Sequence, residues 1–316
     1  MTAHRAVFVG AATEDTIAVV DSYPEADERV LASAMVFGGG GPAATAAVAC
    51  ATLGVPSALV AAVGDDEQGQ RVRERLHERG VDTSGVITIP GATTSHSVVV
   101  ISQGQGTRAI VNRLGPALDI TGSAVALKLL AAASWVHVDQ MGWAAVRAVA
   151  SSVTDGMRLS IDAGNDIDGL TLDRTALYAP TRASITRRYR TADLDTAMSR
   201  ALAEGAELVV VTDGGRGAVA RDASGWSALA TPPEVDVVST LGAGDVFHGA
   251  LIAGLVHAGE GILNGGIEAA VAYATTAAAW SCRGVDGRSR IPSHAEVMTA
   301  LASAGGTILT HREMPR

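Results

Sequence analysis

Lysine is nearly absent. The 316-residue chain has one, Lys128, and therefore no Gly-Lys-Ser/Thr triplet on which a P-loop could be built. Schiff-base chemistry would rest on Lys128 alone, and its apolar helix-forming neighbours read as the setting of a solvated side chain. Basic runs are missing as well, and a formal net charge of −9 argues against nucleic acid as a partner. The two cysteines, Cys50 and Cys282, each sit in an apolar helix-like segment, which reads as buried reduced thiols and a cytoplasmic setting. No early stretch joins a basic start, an apolar run and a small-residue cleavage site. The Ala-rich segments are too short to cross a bilayer, so no membrane partner is expected. The eight histidines show no metal-ligand spacing, and the Gly-x-Ser-x-Gly elbow of hydrolases does not occur. Any phosphate handled by this chain must be met by arginine, backbone N–H groups or a metal ion.

What the chain does contain is Ser239-Thr-Leu-Gly-Ala-Gly-Asp-Val-Phe-His-Gly-Ala-Leu-Ile252. Gly242, Ala243 and Gly244 form a small-residue turn feeding a long apolar helix, and small residues let backbone N–H groups approach an anion at the positive helix end. Asp245 in the first turn would repel a phosphate that is merely bound. It suits a phosphate under attack, where a carboxylate takes the proton of the incoming hydroxyl. The plainer alternative is an N-capping aspartate after a glycine turn.

Apolar and amphipathic runs alternate along the chain. Strand-like segments at residues 7–10, 56–63, 135–138, 158–162 and 208–212 are interleaved with helical ones at 43–53, 68–79, 144–152 and 194–204. Two Ala-rich helices follow at 245–258 and 267–281. This is the pattern of an α/β protein with a doubly wound, mostly parallel sheet. Residues 16–20, 29–37, 95–102 and 108–112 break the alternation as extra strands, the last two joined by Gly104-Gln-Gly106 as a hairpin. They are expected to form a small sheet outside the main one. No linker composition divides the chain, so residues 1–316 read as a single unit.

Several other segments admit two readings. The run Gly38–Gly41 before Ala43 satisfies a dinucleotide fingerprint in form, but it follows an additional strand pair rather than the first core strand. Bare backbone there equally allows a polyhydroxylated ligand to pack against peptide groups, or is a structural turn. Asp15, just past the first strand, is placed to bind paired hydroxyls or is an ordinary loop acid. Thr212-Asp-Gly214-Gly-Arg-Gly217 follows a core strand and suits nucleotide phosphate or ribose; a hairpin turn accounts for it as well. Asp162-Ala-Gly-Asn165 is a candidate for a hydrated Mg²⁺, whereas His137 and His248 read as packing residues.

The order of these features resembles the ribokinase-like (PfkB) carbohydrate kinases over nearly the whole chain. The first signature is similar to Gly40-Gly-Pro-Ala-Ala-Thr-Ala-Ala47 running on to Leu53-Gly54, then Val63-Gly-Asp-Asp66 and Gly69. The second is similar to Ser239 through Ile252, about 200 residues further on. The resemblance implies a central sheet with a β-sheet lid formed by about 13–37 and 88–113. It implies an ATP-dependent sugar kinase using Mg²⁺, with Asp245 as the base and Gly242–Gly244 holding the phosphoryl group. Asp15, Gly40 and Gly41 would contact sugar hydroxyls, and Thr212, Gly214 and Gly217 would lie along ATP. Within the family the motifs look closest to sulfofructose kinases, whose substrate is 6-deoxy-6-sulfofructose. Asn112 and Arg29 would then read the anion, although Gln140 stands where an arginine is expected. Thr45 replaces a common asparagine, Ser239 a frequent aspartate, and the Asn-x-x-Glu element near Mg²⁺ is not visible. A nucleoside kinase of the same fold and a non-catalytic sugar or nucleotide sensor remain alternatives. Unpaired lid edges suggest a homodimer.

Overall fold

The computed structural model of the protein describes residues 6–153, 157–304 and 308–312. Short apolar runs become β1 (Ala6–Val9), β4 (Ser57–Gly64), β5 (Asp82–Ile89), β8 (Trp135–Val138), β9 (Arg158–Ala163), β10 (Thr175–Pro180) and β11 (Ala206–Thr212). They pair in parallel, in the order β11-β10-β9-β8-β1-β4-β5. Parallel strands are covered on both faces, which is why these runs are continuously apolar rather than alternating. In β1, Ala6 and Phe8 enter one hydrophobic cluster, while Val7 and Val9 enter the other.

The first face carries α1 (Pro42–Thr52), α2 (Glu67–Glu78), α7 (Ala243–Gly259), α8 (Gly266–Ser281) and α9 (His294–Ala304). The second carries α3 (Ala124–Ala132), α4 (Trp143–Val153), α5 (Arg182–Arg188) and α6 (Leu194–Glu204). Small residues allow α1 and α7 to pack closely: a side chain at Gly249 would meet the Ala46 carbonyl at 2.1 Å. Beyond β11 the sheet continues antiparallel through β12 (Ala218–Asp222), β13 (Trp226–Ala230) and β14 (Ile308–Arg312), giving ten strands.

A separate four-stranded sheet has the order β3-β2-β6-β7, built from β2 (Thr13–Val20), β3 (Ala34–Gly40), β6 (His96–Ser102) and β7 (Thr107–Arg113). Ile17, Val19, Val99 and Ile101 on its inner face pack against Leu241 and Val285 of the body. The expected hairpin between residues 95 and 112 is present as the β6–β7 pair. Two boundaries differ in ways that matter for the site. The strand expected at 29–37 is Ala34–Gly40, which leaves Arg29 in an exposed connection and draws Gly38–Gly40 into a strand. β2 begins at Thr13, so Asp15 lies within a strand rather than a loop. The β10 strand escaped the sequence reading because Thr175–Pro180 is short and ends in proline.

Candidate active site

In an open parallel sheet, ligand sites form outside the carboxyl ends of the strands. Here those ends and the inner face of the small sheet enclose a cavity of about 470 Å³. Gly10–Thr13 follow β1, Gln140 and Met141 follow β8, and Asp162 to Asn165 close β9. Thr181 follows β10 and Thr212 ends β11.

The Ser239–Ile252 motif supplies one wall. Gly242 precedes α7 with φ of 74°, a left-handed conformation open to glycine at no steric cost. A side chain there would stand 2.6 Å from the Gly287 Cα, so glycine is required twice over. No side chain caps α7, and the Ala243 N–H turns back to the Thr240 carbonyl at 3.3 Å. Gly244 faces open space. An uncapped helix start with open backbone is an anion-binding arrangement.

Asp245 stands half-buried in that first turn and makes no hydrogen bond among the described residues. Burial pushes its pKa up to about 7, helped by the nearby charges of Asp162 and Asp139 and opposed by His248 and Arg288. A carboxylate poised near neutrality is tuned for accepting a proton.

Asp15 faces the same cavity from β2. It is buried, accepts a hydrogen bond from Thr13 Oγ1 at 2.7 Å, and is raised above the usual carboxylate range by burial. Gly40 makes room for it, since a Cβ at that position would lie 2.1 Å from Asp15 Oδ2. Behind the glycines lies Arg288, a residue that sequence reasoning missed. Its Nη2 donates to the Gly40 carbonyl at 2.7 Å and its Nε to Thr45 Oγ1 at 3.1 Å. Burial lowers its pKa to about 10, yet it stays charged and faces Asp15, Asp286 and Asp245. Asn112 from β7 and Gln140 also line the cavity, and Asn165 Nδ2 reaches Gln140 Oε1 at 3.5 Å.

Asp139 is a second residue with no signal in the sequence. Fully buried, it accepts N–H bonds from Ala11, Ala43, Met141 and Gly142 at 2.8 to 3.1 Å. It thereby ties the end of β1 to the start of α1 and to the turn after β8. Burial raises it to about 6, against those four donors, so it is largely ionised at neutral pH.

Asp162 and His248 form a buried ion pair, His248 Nε2 lying 3.2 Å from Asp162 Oδ1. Burial opposes charge on both partners. Their mutual attraction overrides it, holding Asp162 at about 2 and raising His248. His137 stays neutral, lowered to about 3 by burial and the His248 charge, with Nδ1 bonded to Ser160 at 2.9 Å. The ligand atoms of these three side chains lie within 4.8 Å of one another. The imidazoles suit a transition metal rather than Mg²⁺, and the ion pair already satisfies the carboxylate. His248 is therefore more than the packing residue that its sequence context suggests.

Toward β11, the Thr212–Gly217 segment is indeed the turn between β11 and the antiparallel β12, and Thr212 lines the cavity. Asp213 is clamped by Arg182 and Arg216 and held below its ordinary value by those bonds. Gly217 is required because a Cβ would strike the Ala230 carbonyl at 1.9 Å.

The cavity thus brings together Asp15, Gly40, Gly41, Thr45, Asn112, Gln140, Thr212, Gly242, Gly244 and Asp245. Arg29, Ala243, Gly214 and Gly217 are outside its lining. Arg29 is exposed in the β2–β3 connection, away from the lining that holds Asn112 and Gln140. Gly214 is exposed at the turn and Gly217 is buried beneath it against Ala230. Mg²⁺ prefers oxygen ligands and keeps several waters when it travels with nucleotide phosphates. Asp15 and Asp162 are already bonded, so among the described residues the cleft suits an ion carried by phosphates rather than a protein cage, and Asn165 and Thr181 are the lining residues that would meet its waters.

A parallel sheet with an uncapped helix start at its strand ends, beneath a small separate sheet, defines a ribokinase-like α/β protein. The chain belongs to the pfkB family of carbohydrate kinases, whose pattern matches residues 3–293. It is 27% identical over 310 residues to an ATP-dependent ribose-1-phosphate kinase of Halopiger xanaduensis, covering 95% of this chain and 98% of that one. It is 27% identical over 301 residues to a fructokinase of Vibrio alginolyticus, with 89% and 95% covered. The structure of Arabidopsis thaliana ribokinase complexed with ribose and ATP superposes with a TM-score of 0.80 over 95% of this chain and 99% of that one. At 23% identity that likeness speaks to the fold alone. The protein is accordingly a carbohydrate kinase.

Proposed function

We propose that this kinase transfers the γ-phosphoryl group of ATP to a hydroxyl of a ketose or ketose derivative, with Asp245 as the base. The observation that carries this reading is the unbonded Asp245 carboxylate, poised near neutrality over the open backbone of Gly242–Gly244. The sugar hydroxyl gives its proton to an Asp245 carboxylate oxygen as the hydroxyl oxygen attacks the γ-phosphorus. The bond from that phosphorus to the bridging oxygen breaks, and ADP leaves. Backbone N–H groups at the start of α7 take up charge on the transferring oxygens. Magnesium bound to the phosphates would neutralise part of their charge, and Asn165 and Thr181 would meet its waters.

Asp15, the Gly40–Gly41 backbone, Thr45, Asn112 and Gln140 would hold the sugar, with Thr212 and the turn carrying Gly214 and Gly217 along the nucleotide. The small sheet acts as a lid that excludes water during transfer. Its outer face carries Phe37, Val98 and Val111 across adjacent strands, 65%, 43% and 73% exposed, which supports a homodimer formed through the lid. No helix among the described residues is long and apolar enough to cross a membrane, and two buried free thiols are consistent with a cytoplasmic enzyme.

For 6-deoxy-6-sulfofructose, Asn112 remains in the cleft, but Arg29 does not line it and Gln140 is neutral. Of the residues expected to read the sulfonate, none that lines the cleft is charged, and an anion there needs a charge-assisted partner. Neutral ketoses, as for the Vibrio alginolyticus fructokinase, are therefore the first substrates to test. The test is ADP release on a panel of neutral ketoses, aldoses, sugar phosphates, sulfonated ketoses and nucleosides. Turnover highest on a ketose supports the proposal. Turnover confined to nucleosides, or ligand binding with no ADP released, overturns it.

A further inference from the structure

Three carboxylates line the cavity, Asp15, Asp162 and Asp245, against a single lysine or arginine, Arg108. A nucleotide triphosphate would bring several more negative charges into this acid-rich space. The nearby guanidinium groups are committed elsewhere. Arg288 is bonded behind the glycines to Gly40 and Thr45, and Arg182 is paired with Asp213. The chain's lone lysine, Lys128, sits exposed on α3. His248 also lines the cavity, but its charge is paired with Asp162, so among the lining residues Arg108 is the one cation that no carboxylate neutralises.

Its placement follows from strand geometry. Side chains alternate along β7, so Arg108, Ile110 and Asn112 share the face turned toward the cavity, and all three line it. Asn112 is near the base of the β6–β7 hairpin, opposite Ser97; Arg108 is near its tip, opposite Ile101. From there Arg108 Nη1 crosses to the body and donates to Thr240 Oγ1 at 2.9 Å. Thr240 lies two residues before Gly242, so the guanidinium stands beside the uncapped start of α7. The side chain is otherwise exposed, and it makes no ion pair among the described residues. A charged donor held by a neutral hydroxyl will exchange it for an oxyanion, because charge-assisted hydrogen bonds are about twice as strong as neutral ones.

We propose that Arg108 is a phosphate-binding residue delivered by the small sheet. It leaves Thr240 and takes an oxygen of a phosphate lying beside Gly242–Gly244, so closure of the sheet and completion of the anion site are one event. The inference rests on the kinase reading above. The oxyanion has two sources with the same chemistry, the transferring γ-phosphoryl group and a phosphate borne by the sugar. Proximity to Gly242 favours the first.

The test compares the full-length wild-type protein with Arg108→Gln and Arg108→Lys. ATP turnover is measured on fructose and ribose, and on fructose 6-phosphate and ribose 1-phosphate. Calorimetric binding of inorganic triphosphate is measured in parallel and needs no turnover. Loss of one donor aimed at a transferring group lowers kcat by about 10²–10³-fold. With the γ-phosphoryl source, Arg108→Gln shows that loss on every sugar accepted, with sugar KM little changed. Triphosphate binding weakens, and Arg108→Lys recovers part of both. With the sugar-phosphate source, the loss is a rise in KM confined to phosphorylated sugars. A wild type that turns over sugars while Arg108→Gln matches it in kcat, KM and triphosphate affinity overturns the inference and leaves the kinase reading standing. A wild type that releases no ADP on any sugar refutes the kinase reading instead, and unchanged triphosphate binding in Arg108→Gln would then refute this one too.

Discussion

Gly242→Ala strains the start of α7 in two ways at once, through its backbone and through its packing. Gly242 sits at φ of 74°, where an L-residue is strained by about 1–2 kcal/mol. The added methyl would lie 2.6 Å from the Gly287 Cα, a backbone atom that no rotamer change can move. Relieving that overlap needs a shift on the order of 1 Å between the two loops, and overpacking of this kind costs about 1–3 kcal/mol. Together the two terms amount to about 2–5 kcal/mol, which for a protein of this size is a fall in Tm of about 3–8 °C. The displaced segment is the proposed phosphoryl cradle, and misplacement by about 1 Å lowers turnover by about 10²-fold. Gly259→Ala is the control, since Gly259 ends α7 with nothing within 4 Å of its would-be Cβ. Differential scanning fluorimetry and coupled ADP release on both variants decide the matter. If Gly242→Ala matches Gly259→Ala in Tm and kcat, the argument that this turn is sterically determined is wrong.

Two further outcomes follow from the charges in the cleft. Asp245 is raised to about 7, and a base works only when deprotonated, so activity is lost as pH falls through that value. On that basis kcat rises about tenfold between about pH 6 and about pH 8, rather than titrating near the ordinary carboxylate range; a flat profile there contradicts the assignment. Arg288→Met leaves the Gly40 carbonyl and the Thr45 hydroxyl without their donor, and Asp15 facing no cation. Breaking a buried charge of this type costs about 3–5 kcal/mol, to be read by urea unfolding together with a higher sugar KM. A loss below about 1 kcal/mol would show that Arg288 is not holding the glycine bed.

The parallel sheet was legible because strands buried on both faces leave continuous apolar runs, as in Ser57–Gly64 and Ala206–Thr212. The anion cradle was legible for a similar reason, since Gly-Ala-Gly-Asp before an apolar helix is a local pattern with a local cause. Long-range partnerships left no such trace. Asp139 gathers N–H groups from as far away as Ala11, 128 positions earlier, and Arg288 reaches Gly40 across 248. Neither residue has neighbours in sequence that announce the role. Arg29 illustrates the converse. Its segment has strand composition, but pairing with β2 begins only at Ala34, so the side chain is left outside the cleft. Arg108 is a matter of parity along a strand: one register step would have turned it to solvent.

The central claim is that Asp245 takes the proton of the attacking hydroxyl, and Asp245→Asn tests it most directly, because the amide keeps the shape and loses the basicity. On the sugar that the wild-type enzyme turns over best, the account predicts that kcat falls by about 10³-fold while sugar and nucleotide affinities stay within about threefold. Turnover close to wild type in Asp245→Asn, with both ligands bound normally, would contradict it.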